Sequence, residues 1–190
     1  MTLKPDVAFV QGLDFFSDAV GRLGPADWDR PSPCQGWRAL DVLGHVGQAT
    51  RFGTALLQGD RPEWAPVEPP GDLVDGAPAG WWAGLASRAR DAVGGVDLDQ
   101  VVDSPAGRRS VGDGLSFPAL DLYIHGWDIA RSGGVDLVIP AAAIEFAHSV
   151  IDPVPDGTVR NGRVFAAAKP APAGATESEA FLAWTGRDLA

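Results

Sequence analysis

The segment "LDLYIHGWDIA", residues 120–130, carries two carboxylates and an imidazole in an otherwise mostly apolar stretch. Asp121, His125 and Asp128 stand at positions i, i+4 and i+7, and at about 100° per residue they share one narrow stripe of a helix. Because the remaining faces of this helix are apolar, we expect both the helix and its polar stripe to be buried. A buried carboxylate needs a paired cation, a full set of hydrogen bonds or a metal ion.

Asp121 and His125 lie one helical turn apart, so both can bind the same ion. A third ligand must come from another element, and His45 is the candidate, since it lies on the flank of the apolar arc of the second predicted helix. A hydrogen-bonded Asp–His pair without any metal is the alternative, because a single Asp-x-x-x-His match is not specific. The residues thus predict a metal site and leave the hydrogen-bonded pair open.

Three further residues have simpler interpretations. Cys34 follows Pro33 in a rigid loop, and no neighbouring base can be assigned to it, so we expect a small buried side chain rather than a nucleophile. His148 is expected to be an ordinary core or surface histidine. Asp41 lies in the first turn of its helix, where a carboxylate interacts well with the helix dipole.

The elements that must position these residues follow from the periodicity of the apolar residues. Spacings of three to four predict helices over residues 6–23, 38–58, 81–93 and through the opening segment to about Ser132. A fifth helix is expected from Pro140, as its first residue, to Val150, and a last one over residues 177–184. Residues 101–111, "VVDSPAGRRSV", predict two short strands around a Pro-containing turn. Residues 59–80 and 152–174 are rich in Pro and Gly and are expected to be loops. The first is expected to be either a lid or a disordered segment, and in an enzyme both loops would cover the pocket.

This order of elements predicts an all-α fold, a four-helix bundle with a short β-hairpin and additional C-terminal helices, as a single domain over residues 1–190. The formal net charge of −10 argues against a nucleic-acid partner, since such partners require basic patches. One cysteine allows no internal disulfide and favours a reducing compartment. No stretch approaches the roughly 18 apolar residues of a membrane span, and the first residues lack the plan of a signal peptide, so we expect a cytoplasmic protein.

Two segments together resemble a known family. "PSPCQGWRALDVLGHV", residues 31–46, and "LDLYIHGWDIARSGG", residues 120–134, are similar to the DinB/YfiT-like superfamily. Within it, they resemble the N-terminal metal-binding domains of the mycothiol-dependent maleylpyruvate isomerase family. The hairpin segment and the tail "FLAWTGRD" look like those of a short, stand-alone branch. The resemblance implies a divalent metal, most often zinc but also nickel or another ion, held by His45, Asp121 and His125.

The resemblance also implies a low-molecular-weight thiol such as mycothiol as cosubstrate, and hence a transferase or isomerase acting on a small electrophile. In this setting Asp128 either accepts a hydrogen bond that orients His125 or is a helix-surface acid. The isomerase has a glutamate in place of Asp121 and a further C-terminal domain that 190 residues are too short to include. The implied metal site tolerates aspartate in place of glutamate, because both provide a carboxylate ligand. The isomerase reaction is not implied for this chain, because the additional domain contributes to the substrate site of the isomerase. A thiol-independent cyclase or hydrolase and a non-catalytic small-molecule binder remain alternatives. We expect the protein to be a monomer or a homodimer.

Overall fold

A computed structural model describes residues 2–60, 62, 64–104, 107–160 and 164–189. The chain forms two compact units, of which Lys4–Leu137 is one and the remaining described residues are the other. The expectation of a single domain over residues 1–190 stays a prediction. The first unit contains α1 (Pro5–Gly21), α2 (Ala39–Leu57), the 3-10 helix η1 (Pro70–Leu73), α3 (Pro78–Val93), β1 (Val101–Ser104), β2 (Gly107–Ser110) and α4 (Val111–Ser132). The second contains α5 (Ala141–Ile151), α6 (Asp156–Val159) and α7 (Glu177–Trp184).

The first unit is a four-helix bundle in which α1 and α2 each pack against both α3 and α4. Its core is made of large apolar side chains that recur every three to four residues along the helices and are almost fully buried. They include Phe9, Leu13, Phe16, Leu43, Leu56, Trp82, Leu115, Leu120, Leu122, Ile124 and Ile129. The predicted all-α bundle is confirmed. Over the described ranges, no helix has the length and apolar character that crossing a membrane requires.

The helix ends follow local chemistry. Ser110 caps α4 by accepting a hydrogen bond from Asp113 N at 3.0 Å, and Thr176 caps α7 in the same way from Glu179 N at 3.3 Å. Two predicted boundaries are wrong. α3 begins at Pro78, three residues before the predicted start. Pro140 is not the first residue of α5 but its N-cap, with the extended backbone angles φ −62° and ψ 142°. The short α6 and η1 lie in segments that were predicted to be loops.

The predicted hairpin is present. β1 and β2 pair antiparallel, with Val101 opposite Ser110 and Ser104 opposite Gly107. The Pro-containing turn between them, residues 105 and 106, lies outside the described residues. β2 leads directly into α4, so the hairpin fixes where the long helix begins.

Two glycines of α2 let other parts of the chain come close to the helix. A side chain at Gly44 would collide with the Pro70 carbonyl of η1, and one at Gly47 would collide with the Trp81 ring of α3. One turn before Gly44, the carboxylate of Asp41 accepts a hydrogen bond from Gly71 N at 3.2 Å. The predicted loop of residues 59–80 is therefore held against α2 at its centre.

The second unit is built around contacts between α5 and α7. Ile139 N donates to Ser178 Oγ at 3.0 Å, which joins the start of α5 to α7. The guanidinium of Arg160 lies 4.6 Å from the Trp184 ring centroid and donates to the Trp184 carbonyl at 2.8 Å. This unit has its own small aromatic core.

Candidate metal site

The polar stripe predicted on α4 becomes more buried along the helix. The Asp121 side chain is 26% exposed, that of His125 is 11% exposed and that of Asp128 is fully buried. Leu120, Leu122, Ile124 and Ile129 occupy the other faces and are buried in the bundle. The apolar residues around the stripe thus fix the rotation of α4 and turn the three polar side chains into the protein.

His45 reaches the same place from α2. Its Nε2 lies 3.5 Å from Asp121 Oδ2, and its ring centroid is 5.0 Å from that of His125. One ligand atom from each of His45, Asp121 and His125 lies within 4.8 Å of the other two. Two imidazoles and one carboxylate in such a group fit a divalent ion, and three protein ligands are typical of catalytic zinc, which keeps an open position. The donor set therefore fits the metal that the sequence predicts.

Asp128 fixes the tautomer of His125. His125 Nδ1 lies 2.8 Å from Asp128 Oδ2. Burial lowers the pKa of His125, although the hydrogen bond and the charge of Asp128 oppose that shift. In the neutral ring Nδ1–H donates to the carboxylate, and Nε2 keeps the lone pair that a metal ion needs. The alternative of a helix-surface acid is wrong, because Asp128 is fully buried.

Cys34 joins this pair from the loop before α2. Its thiol donates to Asp128 Oδ2 at 3.2 Å, and Sγ lies 3.7 Å from His125 Nδ1. The expectation of an isolated small buried side chain is corrected, since Cys34 is only partly buried and contacts two site residues. No sequence signal indicated this contact, because Cys34 and His125 are 91 residues apart and lie on different elements.

Cys34, His125 and Asp128 also lie close enough together to hold a metal ion. We assign this group to hydrogen bonding for two reasons. Its distances of 2.8 Å and 3.2 Å are those of an N–H and an S–H bond to one carboxylate oxygen. Asp128 is also completely enclosed, whereas Asp121 and His45 are partly exposed to solvent. The partly exposed group is the better candidate for an exchangeable ion.

Aromatic side chains flank the candidate ligands. The ring centroid of Trp37 lies 5.1 Å from that of His45, and the centroid of Trp64 lies 6.2 Å from it on an edge-to-face contact. Phe52 packs against Trp64 at 6.0 Å. Trp64 nevertheless remains 41% exposed. These rings form an apolar wall beside the polar group.

Two hydrogen-bonded segments hold this wall in place. Residues 32–37 form a tight loop in which Ser32 N donates to the Trp37 carbonyl at 2.9 Å and Cys34 N donates to Ser32 Oγ at 3.2 Å. On α2, Gln48 Nε2 donates to the Ala65 carbonyl at 2.5 Å, directly after Trp64. The segment around Trp64 is therefore fixed by the same helix that carries His45.

Asp41 has a more specific role than the predicted dipole interaction. Its Oδ2 accepts a hydrogen bond from Arg38 N at 2.9 Å, and its Oδ1 accepts one from Gly71 N. Burial alone would raise the pKa of Asp41, but the Arg38 backbone, the Arg38 guanidinium and Gly71 N–H together lower it. Asp41 thus stays ionised and joins the start of α2 to η1.

His148 lies in the second unit. Its Nδ1 pairs with Asp152 Oδ1 at 3.2 Å, and its ring centroid lies 4.7 Å from that of Trp184. Within the described ranges, it is in neither group of residues that could hold a metal ion.

An open groove of about 450 Å³ between the end of α2 and the hairpin is lined by Gly59, Asp60, residues 100–103 and Arg108. None of the candidate ligands lines this groove. The candidate site is therefore located by its group of metal-binding side chains and not by the groove.

Comparisons with known proteins agree with this fold. The family described as the mycothiol maleylpyruvate isomerase N-terminal domain matches residues 9–130, which include all three candidate ligands. Crystal structures of the mycothiol-dependent maleylpyruvate isomerase and of a histidine-to-alanine mutant of it have the same fold, each with a TM-score of 0.61. Their sequence identities are 15% and 14%, so this likeness shows the fold alone. Each match covers 75% of this chain but only 65% of the isomerase chain. No curated protein matches.

Proposed function

The chain belongs to the mycothiol maleylpyruvate isomerase N-terminal domain family, and on this premise we propose that it is a metal-dependent enzyme using a low-molecular-weight thiol. The thiol is mycothiol or a similar compound, and the reaction is S-transfer to, or isomerisation of, a small electrophile. The observation that carries the proposal is the convergence of His45, Asp121 and His125, whose donor atoms lie within 4.8 Å of one another. The proposed location is the reducing cytoplasm, which suits a chain with one cysteine.

The proposed ligands are His45, the Asp121 carboxylate and His125 through Nε2, with zinc as the first candidate ion. A divalent ion held there supplies a positive charge that lowers the pKa of a thiol or water bound at its open position. The protein contributes ligands from two helices, α2 and α4, so the packing of these helices sets the spacing between the imidazoles.

The other side chains around the ligands have defined tasks in this proposal. Asp128 holds the Nδ1 proton of His125 and so keeps Nε2 available. Trp37 and Trp64 exclude water on the His45 side and offer an apolar surface to the carbon skeleton of the substrate. An apolar wall lowers the local dielectric and strengthens the interactions of a nearby thiolate.

Metal binding is tested first, by metal analysis and by thermal unfolding with added zinc. Zinc at one hundred times its Kd stabilises by about 2.7 kcal/mol, which corresponds to a rise in Tm of roughly 5–10 °C for a chain of this size. His45→Gln and Asp121→Asn should abolish the shift. His148→Gln is the matched control, since it removes a histidine of the second unit and should leave the shift unchanged. Less than about 0.1 equivalents of metal, with no shift in Tm, would contradict the metal site.

Thiol use is tested separately, with metal-loaded protein, mycothiol and a small electrophile. Mass spectrometry should detect an S-conjugate or an isomerised product that depends on both the protein and the thiol. His125→Ala should lose metal and turnover together. If that variant still binds the electrophile as tightly as wild type while wild type shows no turnover, the protein is a binder rather than an enzyme. Turnover without the thiol would instead indicate a cyclase or hydrolase.

A further inference from the structure

We propose that Cys34 is a positioning residue for His125 and acts on it through Asp128. The thiol donates a hydrogen bond to the carboxylate oxygen that also accepts the Nδ1 proton of His125. The role in metal binding rests on the proposed function, whereas the effect on the His125 ring can be observed without a metal.

The argument starts from Oδ2 of Asp128. This oxygen lies 2.8 Å from His125 Nδ1 and 3.2 Å from Cys34 Sγ, so two donors from different elements meet at one acceptor. The Asp128 side chain is fully buried. A buried carboxylate depends on its donors, because water cannot replace a donor that is lost. The Cys34 thiol therefore helps to keep this carboxylate oriented towards His125.

The arrangement does not suit Cys34 as a nucleophile activated by His125. In such a pair the thiol and the carboxylate use opposite nitrogens of the imidazole, with the carboxylate orienting the ring. Here Cys34 and Asp128 lie on the same side of His125, both close to Nδ1. A thiolate at this position would also repel the Asp128 carboxylate. The geometry fits a thiol that donates a hydrogen bond to Asp128.

The loop before α2 is built to hold Cys34 in this place. Cys34 N donates to Ser32 Oγ at 3.2 Å, and the Cys34 carbonyl accepts from Trp37 N at 3.0 Å. Pro31 and Arg38 form a β-bridge at the base of the loop. The backbone at Cys34 is thus fixed at two points, with Sγ 3.2 Å from Asp128 Oδ2.

The test compares Cys34→Ala with Cys34→Ser and with Gln35→Ala, an exposed neighbour in the same loop. Long-range ¹H–¹⁵N spectra of the metal-free proteins report the tautomer of His125, assigned with His45→Gln and His148→Gln variants. Wild type and Gln35→Ala should show Nδ1–H alone. Cys34→Ala should keep that tautomer but shift the ¹⁵N resonances of His125, because the Asp128 carboxylate has lost one of its donors. Cys34→Ser should restore the wild-type shifts, because its hydroxyl can also donate.

Zinc affinity, measured by competition with a chelating dye, provides the second readout. Cys34→Ala should weaken binding roughly tenfold, the low end of the effect of residues that support metal ligands. Cys34→Ser should bind within about twofold of wild type, and Asp128→Asn should lose at least as much as Cys34→Ala. Unchanged His125 spectra in Cys34→Ala, or a Cys34→Ser variant as impaired as Cys34→Ala, would overturn the proposal. If wild type binds no zinc, the proposed function fails, and the spectra alone decide the role of Cys34.

Discussion

Asp41 offers the sharpest test of how α2 holds the segment beside the candidate site. We consider Asp41→Asn, which preserves the shape of the side chain but removes its charge and one of its two acceptor oxygens. In the wild type, Asp41 is 3% exposed, and its carboxylate accepts hydrogen bonds from two backbone N–H groups, Arg38 N at 2.9 Å and Gly71 N at 3.2 Å. An asparagine can satisfy only one of these donors, and its NH₂ group then faces the other.

The magnitude follows from these contacts. The lost bond is charge-assisted and leaves a donor unpaired, which costs about 2 kcal/mol. The third contact, from Arg38 Nε at 3.3 Å, adds little because the Arg38 side chain is 43% exposed and its charge is screened by water. We therefore expect the free energy of unfolding to fall by about 2 kcal/mol at pH 7. At 2–4 °C per kcal/mol for a chain of this size, Tm should fall by roughly 4–8 °C.

The same interaction predicts a dependence on pH. The folded pKa of Asp41 is lowered, so its contribution is complete above the unfolded pKa of about 3.9. As the pH falls below that value towards the folded pKa, the unfolded chain binds the proton more readily and the contribution is lost. The difference in stability between wild type and Asp41→Asn should therefore be largest near neutral pH and shrink below about pH 4.

Urea unfolding at a series of pH values measures both effects. The control is Asp29→Asn, since Asp29 contacts the same guanidinium at 3.0 Å but is 79% exposed. That change should cost less than about 0.5 kcal/mol. An Asp41→Asn variant no less stable than Asp29→Asn, or a difference that persists unchanged at pH 3, would refute the reasoning.

Two further substitutions test other contacts of the bundle. Gly44→Ala should lower the free energy of unfolding by about 2 kcal/mol, because its Cβ meets the Pro70 carbonyl and η1 must shift. Tyr123→Phe should lose about 1 kcal/mol, because the buried hydroxyl donates to the Ala8 carbonyl at 3.0 Å and joins α4 to α1. Both are measured by urea unfolding at neutral pH.

Gly21→Ala is the control for Gly44→Ala, because a side chain at Gly21 would meet nothing within 4 Å. An equal effect of the two glycine substitutions would show that helix propensity, and not the close approach of η1, determines the result. For Tyr123, a phenylalanine variant as stable as wild type would mean that water or a shifted side chain satisfies the Ala8 carbonyl.

The bundle could be predicted from the sequence because helical periodicity is a local property. The repeat of Phe9, Leu13 and Phe16 defines the buried face of α1, and all three are fully buried. Val7 is 38% exposed, since it lies two residues, about 200°, from Phe9 and so faces away from the buried side of α1. For the same local reason, the spacing of Asp121 and His125 placed both on one face of α4.

Contacts between distant loops could not be predicted in this way. The contact between Cys34 and Asp128 and the hydrogen bond from Gly71 to Asp41 have no periodic pattern in the sequence. Each depends on how an irregular segment packs against a helix. The resemblance pointed to His45 as a ligand, and the structure brings it within 3.5 Å of Asp121. The ion itself stays a prediction.

One face of α2 links the candidate site to the segment that flanks it. Asp41, Gly44, His45 and Gln48 follow at spacings of three, one and three, so they lie on neighbouring turns of the same side of the helix. Asp41 and Gly44 contact η1, and Gln48 holds the carbonyl that follows Trp64. A rotation of α2 that displaced His45 would therefore break the anchors of this segment as well. Substitutions at Asp41 or Gly44 should consequently weaken zinc binding in addition to stability, although neither residue is a ligand.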